Sequence, residues 1–142
     1  QHIGGVGIAL EDKDGKFFFV KQWRYAQQEE TLEFPAGKKE EGEDSLTTAK
    51  REIQEETGYT GKDWIYMSKI YPTPAYDTEV IDLYYAKVDQ YIGQHLDKDE
   101  KIQIYKYRLE ELIELIMEGK IPDAKTVSMA MYLCQMKKRG EI

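Results

Sequence analysis

The apolar positions of the first quarter of the chain come in short runs. Residues 2–10 and 16–23 are apolar and β-rich, and Glu11-Asp12-Lys13-Asp14-Gly15 between them ends in an Asp-Gly pair, a hairpin signal. The pattern predicts antiparallel strands at the start, then a short strand over 31–34 stopped by Pro35. Segments 64–71 and 79–88, rich in Ile, Tyr and Val, read as further strands. In 102–108 the alternation of Ile102 and Ile104 with Gln103 and Tyr105 predicts another.

Three stretches change to helical spacing. Residues 44–57 place Leu46, Ala49 and Ile53 on one stripe and end at Gly58, a suitable left-handed cap. Residues 109–118 carry Leu109, Leu112, Ile113 and Ile116 and close at Gly119, while 123–138 carry Val127, Ala130, Met131 and Cys134 and precede Gly140. Strands and helices mix without regular alternation or internal repeat. The expected class is therefore α+β, an α/β/α sandwich rather than a doubly wound sheet.

Composition narrows the field. A chain of 142 residues, 41% hydrophobic and 12% aromatic, is expected to form one domain over 1–142; 33% charged residues and four prolines argue against disorder. The net charge is -7, and the longest basic run is Lys137-Lys138-Arg139, so no electrostatic footprint for nucleic acid is present. Cys134 stands alone, which excludes an internal disulfide and predicts a buried structural thiol. No apolar stretch approaches the roughly 20 residues a bilayer requires, and no leader-like segment opens the chain. No membrane association and a cytoplasmic location are expected. Because residue 1 is Gln and the first strand begins at once, the natural chain is expected to extend upstream.

The chemistry concentrates in residues 37–59, GKKEEGEDSLTTAKREIQEETGY. At about 100° per residue, Glu52, Glu55 and Glu56 fall on one side of the helix, beside the Leu46, Ala49 and Ile53 stripe. Like charges at i,i+4 destabilise a helix, and anions near its C-terminus oppose the macrodipole. A hard divalent cation removes both objections, because it accepts carboxylates, waters and substrate phosphates as oxygen ligands. Magnesium is the natural candidate and manganese a substitute. A solvated acidic face is the competing reading, and spacing decides against it.

Gly37, five residues, Glu43, seven residues, then Arg51-Glu52-Ile53-Gln54-Glu55-Glu56-Thr57-Gly58-Tyr59 resembles the Nudix hydrolase signature at every specified position. The likeness covers nearly the whole chain and is closest to the ADP-ribose pyrophosphatase branch. Lys21-Gln22-Trp23-Arg24-Tyr25, Leu32-Glu33-Phe34-Pro35-Ala36-Gly37 and Gly119-Lys120-Ile121-Pro122-Asp123-Ala124-Lys125-Thr126 are similar to segments of that branch, and Pro74, fifteen residues past Tyr59, to its characteristic proline. After Pro74 the run Ala75-Tyr76-Asp77-Thr78-Glu79 keeps Glu79 and departs elsewhere.

The resemblance implies a Nudix-type sandwich with a mixed sheet. It also implies magnesium-dependent hydrolysis of the pyrophosphate bond of ADP-ribose or a related nucleoside diphosphate sugar. Glu52 and Glu56 are then the principal metal ligands, Glu55 a further ligand or metal-water contact, and the Ala36 carbonyl a backbone ligand. Arg51 and Glu43 brace the motif, and Gly37 permits a sharp turn out of Pro35-Ala36. Arg24 clamps a phosphate, and Tyr25 or Tyr76 stacks on the adenine or borders the terminal ribose. In the acidic run Asp97-Lys98-Asp99-Glu100, Glu100 is the expected metal or base residue and Asp99 the alternative base. His2 and His95 receive no role. A homodimer is implied, in which an N-terminal sheet completes the neighbour's pocket. Two alternatives stay open: a Nudix hydrolase of another nucleoside diphosphate derivative, and a module that binds ADP-ribose without cutting it.

Overall fold

The computed structural model describes residues 4–96 and 102–142. In chain order these form β1 (Gly5–Glu11), β2 (Lys16–Arg24), β3 (Glu29–Glu33), β4 (Ala36–Lys38), α1 (Ser45–Thr57), β5 (Tyr59–Ile70), β6 (Ile81–Tyr91), β7 (Ile104–Arg108), α2 (Leu109–Met117) and α3 (Ala124–Lys138). The Asp-Gly signal holds: Gly15 adopts φ +81°, and Asp12 Oδ1 accepts from the backbone N–H groups of Asp14 and Lys16, each at 2.9 Å.

β1 is the spine of the fold. It runs parallel to β6 along its whole length, antiparallel to β4 at its start and antiparallel to β2 at its end, where Glu11 faces Phe17. The sheet order is β3-β2-β1-β6-β5, with β4 on β1 and β7 on β2, so the sheet is mixed. Side chains alternate across a strand, and both faces of β1 are covered. Ile8 and Leu10 join Phe18 against Ala49 and Ile53 of α1. Ala9 joins Phe17, Phe19 and Phe34 against Leu112, Met129 and Leu133 of α2 and α3. One sheet between two helical layers is the expected α/β/α sandwich.

Two strands, β4 and β5, depart most from the pattern-based expectation, while β3 and β6 shift by up to three residues at their ends. Pro35 has no N–H and ends the β3 ladder with β2, as expected, but the chain then crosses to β1, pairing Gly7 with Ala36 and Val6 with Gly37. The resulting β4 has three residues with a glycine at its centre, too short to show a period. β5 begins at Tyr59 rather than 64, because bulges near Gly61 and between Lys62 and Ile65 absorb residues of low strand propensity; Asp63 there has φ +53°.

The predicted face of α3 is corrected. Val127 and Met131 are exposed and Cys134 is half-buried, whereas Thr126, Met129, Ala130, Leu133 and Met136 face the sheet, with Lys125 buried beside them. The apolar stripe misled because two polar residues, Lys125 and Thr126, are held inside by a hydrogen-bond network. Among the described residues, no helix is long and apolar enough to cross a membrane.

Candidate active site

α1 starts where Asp44 accepts from the N–H of Thr47 at 2.8 Å and stops where Gly58, at φ +82°, donates to the Gln54 carbonyl. These caps set the helix phase. Ala49 and Ile53 reach the core, and the next positions around the helix carry the acids in graded burial. Glu56 is 6% exposed, Glu52 is half-buried and Glu55 more open. Glu55 and Glu56 sit in a last turn without a basic residue, against the helix dipole.

Arg51 holds this turn in place. Its Nε and Nη2 grip both oxygens of Glu43 at 2.9 Å, while Nη1 donates to Glu52 at 2.7 Å and to Glu55 at 3.4 Å. Glu43 also accepts from the Glu40 N–H at 2.8 Å and the Thr48 hydroxyl at 2.9 Å. The Arg51 fork, with these donors behind it, holds the Glu43 carboxyl down at about 2; the same contact raises Arg51 above its ordinary value. Glu43 and Arg51 therefore stay charged at every physiological pH.

Gly37 does different work from the turn expected of it. It lies in the extended β4, outside the left-handed region, and its missing side chain leaves room for Glu52. A Cβ placed there would sit 2.2 Å from Glu52 Cδ. Glu52 is thus seated on the β4 backbone. The adjoining cleft of about 560 Å³ is lined by Glu40, Glu52, Glu55 and Glu56 against only Lys38 and Arg51, with His95 and Leu96 at its edge. Unit charges 4 Å apart repel by about 4 kcal/mol at an effective dielectric near 20, so two cations leave the cleft strongly anionic. His95, given no role above, is tied to this site because its backbone N–H donates to the Glu55 carbonyl at 3.1 Å.

A second cleft, about 360 Å³, lies along the other side of β4 and shares Lys38 with the first. It gathers Ala36, Gly37, Arg24 and Glu79 from the expected residues, and adds Gln22, Pro72 and Lys125. Tyr25 and Tyr76, 83% and 94% exposed, line neither cleft, and Pro74 is exposed beside Tyr76. Tyr25 instead meets Trp23 edge-to-face. Behind Arg24 lies a buried network. Glu33, 1% exposed, accepts from Arg24 Nε at 2.8 Å, from Arg24 Nη2 and from the Thr31 hydroxyl, and from Lys125 Nζ at 3.2 Å. Burial opposes the Glu33 charge, but Arg24, Lys125 and Thr31 outweigh it and hold the carboxyl below its usual range. Sequence reasoning assigned nothing to Lys38, Glu33 or Lys125; the last two stand in segments noted above only for resemblance. The expected Asp99 and Glu100 lie outside the described residues.

A NUDIX domain model matches residues 1–129. The chain belongs to the Nudix family. An ADP-ribose pyrophosphatase of Bacillus subtilis is 34% identical over 135 residues, 94% of this chain and 73% of that protein. A methanol dehydrogenase activator of Bacillus methanolicus is 35% identical over the same shares. An ADP-ribose pyrophosphatase of Saccharomyces cerevisiae is 29% identical over 95% of this chain and 65% of that protein. The crystal structure of an ADP compounds hydrolase superposes with a TM-score of 0.85 at 20% identity, covering 98% of this chain and 75% of that one. That likeness supports the fold.

Nudix hydrolases generally require a divalent metal, and the donor set here suits one. The acidic turn offers hard oxygen ligands, and Glu52 is seated on a glycine that a side chain would displace. Among the described residues no three acidic or imidazole side chains form a ready-made cage. Arg51 Nη1 donates to an oxygen of Glu52 and an oxygen of Glu55, the same oxygens that would face an ion.

Proposed function

We propose that this Nudix hydrolase cuts the pyrophosphate bond of ADP-ribose or a related nucleoside diphosphate sugar, giving AMP and a sugar phosphate. The observation that carries the reading is the anionic turn of α1, seated on Gly37, directly beside a cleft that presents Arg24. Glu52, Glu55, Glu56 and the Ala36 carbonyl would hold magnesium, or manganese in its place. The ion would supply Lewis acidity and neutralise the diphosphate during attack by water. Around it the chain's own residues orient and exclude. Arg51 and Glu43 hold the acidic turn, Arg24 clamps a phosphate, and Lys38 lies between the two clefts. Asp99 and Glu100 remain our candidates for accepting the proton from the attacking water.

Incubation with ADP-ribose and magnesium should release AMP, and no cleavage of any nucleoside diphosphate sugar would sink the proposal. A second substrate, another nucleoside diphosphate derivative, is favoured by the altered run Ala75-Tyr76-Asp77-Thr78 and by Tyr76 standing off the cleft. A panel of such compounds separates the two. The proposal includes a homodimer that binds no nucleic acid and resides in the cytoplasm. Light scattering, electrophoretic mobility shift and cell fractionation test these parts in turn.

A further inference from the structure

Three charged residues are buried among the described ones: Glu56, Glu33 and Lys125. Glu56 belongs to the acidic turn, and the reaction above gives the other two no part. Burying an ion pair is costly, and well-packed apolar residues often serve stability as well. Stability is therefore a weak reason for Glu33 and Lys125 to be where they are. What they do hold is a direction.

Arg24 stands at the end of β2, half-exposed, between the 360 Å³ cleft and a smaller one of about 260 Å³. Glu33 takes the Nε–H and one Nη2–H of its guanidinium, which leaves three of the five N–H donors for a ligand. Lys125 sits behind Glu33. Its stem packs over Gly7, where a Cβ would meet Lys125 Cδ at 3.1 Å, and its Nζ divides between Glu33 at 3.2 Å and Asp123 at 2.9 Å. Asp123 is itself fixed by Thr126, whose N–H donates at 3.0 Å and whose hydroxyl donates at 2.7 Å. Charge thus alternates from Asp123 to Lys125 to Glu33 to Arg24. Glu33 and Asp123 balance Lys125 and Arg24 in charge, so what Arg24 keeps for an anion is its three uncommitted N–H donors.

We propose that Glu33 and Lys125 are positioning residues that hold the Arg24 fork as a preformed clamp for the diphosphate of the substrate, an inference resting on the nucleotide-sugar reading. Fixing an arginine in advance removes an ordering cost from binding. Neither residue needs to touch the ligand.

The test is a double-mutant cycle on ADP affinity, measured by calorimetry in magnesium, with KM and kcat for ADP-ribose alongside. Arg24→Ala and Glu33→Gln should each weaken ADP binding roughly tenfold to a hundredfold, the range for a charge-assisted hydrogen bond. The double variant should bind no worse than Arg24→Ala alone, as coupled residues require. The loss should fall on KM more than on kcat. Losses that multiply in the double variant, or an unchanged affinity in Glu33→Gln, overturn the clamp. Should Glu33→Gln unfold because Arg24 and Lys125 lose the carboxylate they share, Glu33→Gln/Lys125→Met removes both charges and should fold with the same binding deficit; wild-type affinity there overturns it too. A wild-type chain that binds ADP but leaves ADP-ribose intact sinks the hydrolysis reading, while the cycle still decides the clamp. No ADP binding by the wild type sinks the clamp itself.

Discussion

Two charge clusters flank the short strand β4, and they differ in balance. On the α1 side, four carboxylates face two cations at a surface edge. On the α3 side, Arg24 and Lys125 match Glu33 and Asp123, with Glu33 and Lys125 largely buried. A surplus of one sign is unfavourable unless something arrives to offset it, so the first cluster calls for a cation. A charge-balanced network asks for no counter-ion, and its buried members hold the Arg24 fork still while leaving its remaining donors free for a ligand.

The sharpest way to break this contrast is Glu56→Gln. It keeps shape and removes one charge from the surplus, so turnover should fall on the order of 10²–10³-fold, with circular dichroism and Tm nearly unchanged. Wild-type turnover would remove Glu56 from the metal turn. Gly37→Ala should come next. The new Cβ meets the Glu52 side chain from Cγ outward and no backbone, so the chain should fold once Glu52 swings aside, while its magnesium requirement rises roughly tenfold to a hundredfold. An unchanged magnesium titration would show that the seat on β4 is dispensable.

Arg51→Gln sharpens the comparison from the stability side. Losing the fork should cost about 1–3 kcal/mol without metal. Magnesium should then raise Tm more than it does in the wild type, because the ion replaces the lost cation. An equal Tm rise in both proteins would count against shared oxygens. The smallest effect is with acid. Glu43, Glu33 and Asp123 are all held below their ordinary values, Glu43 at about 2. Such groups stabilise the fold above their unfolded pKa, and that contribution is lost as pH falls through the folded values. Metal-free Tm should therefore be flat from neutrality to about pH 5 and decline steadily below about pH 4. A metal-free Tm that rose on acidification through that window would contradict the assignment.

Where one periodic pattern and one cap govern a segment, the sequence was readable. Asp44, Gly58 and the Ala49-Ile53 stripe locate α1, and with it the acids on its flank. Where partners lie far apart in the chain, it was not. Lys125 is charged and looks solvent-facing, yet its partner Glu33 is on a distant strand, and Thr126 is held inward by Asp123 and the Phe34 N–H, which rotates the apparent face of α3. β4 was hidden for a related reason: nothing in Ala36-Gly37-Lys38 announces pairing to β1. Arg24 was identified by resemblance, but the carboxylate that orients it could be found only in space.

The central strand also constrains how the protein comes to be. Gly5 lies opposite Ile81, and β1 has apolar side chains on both faces. During synthesis this strand leaves the ribosome long before its parallel neighbour exists, and such distant pairing is intrinsically slow and aggregation-exposed. Until β6 appears, β2 and β4 can pair only its other edge, so closure of this part of the sheet waits for the second half of the chain.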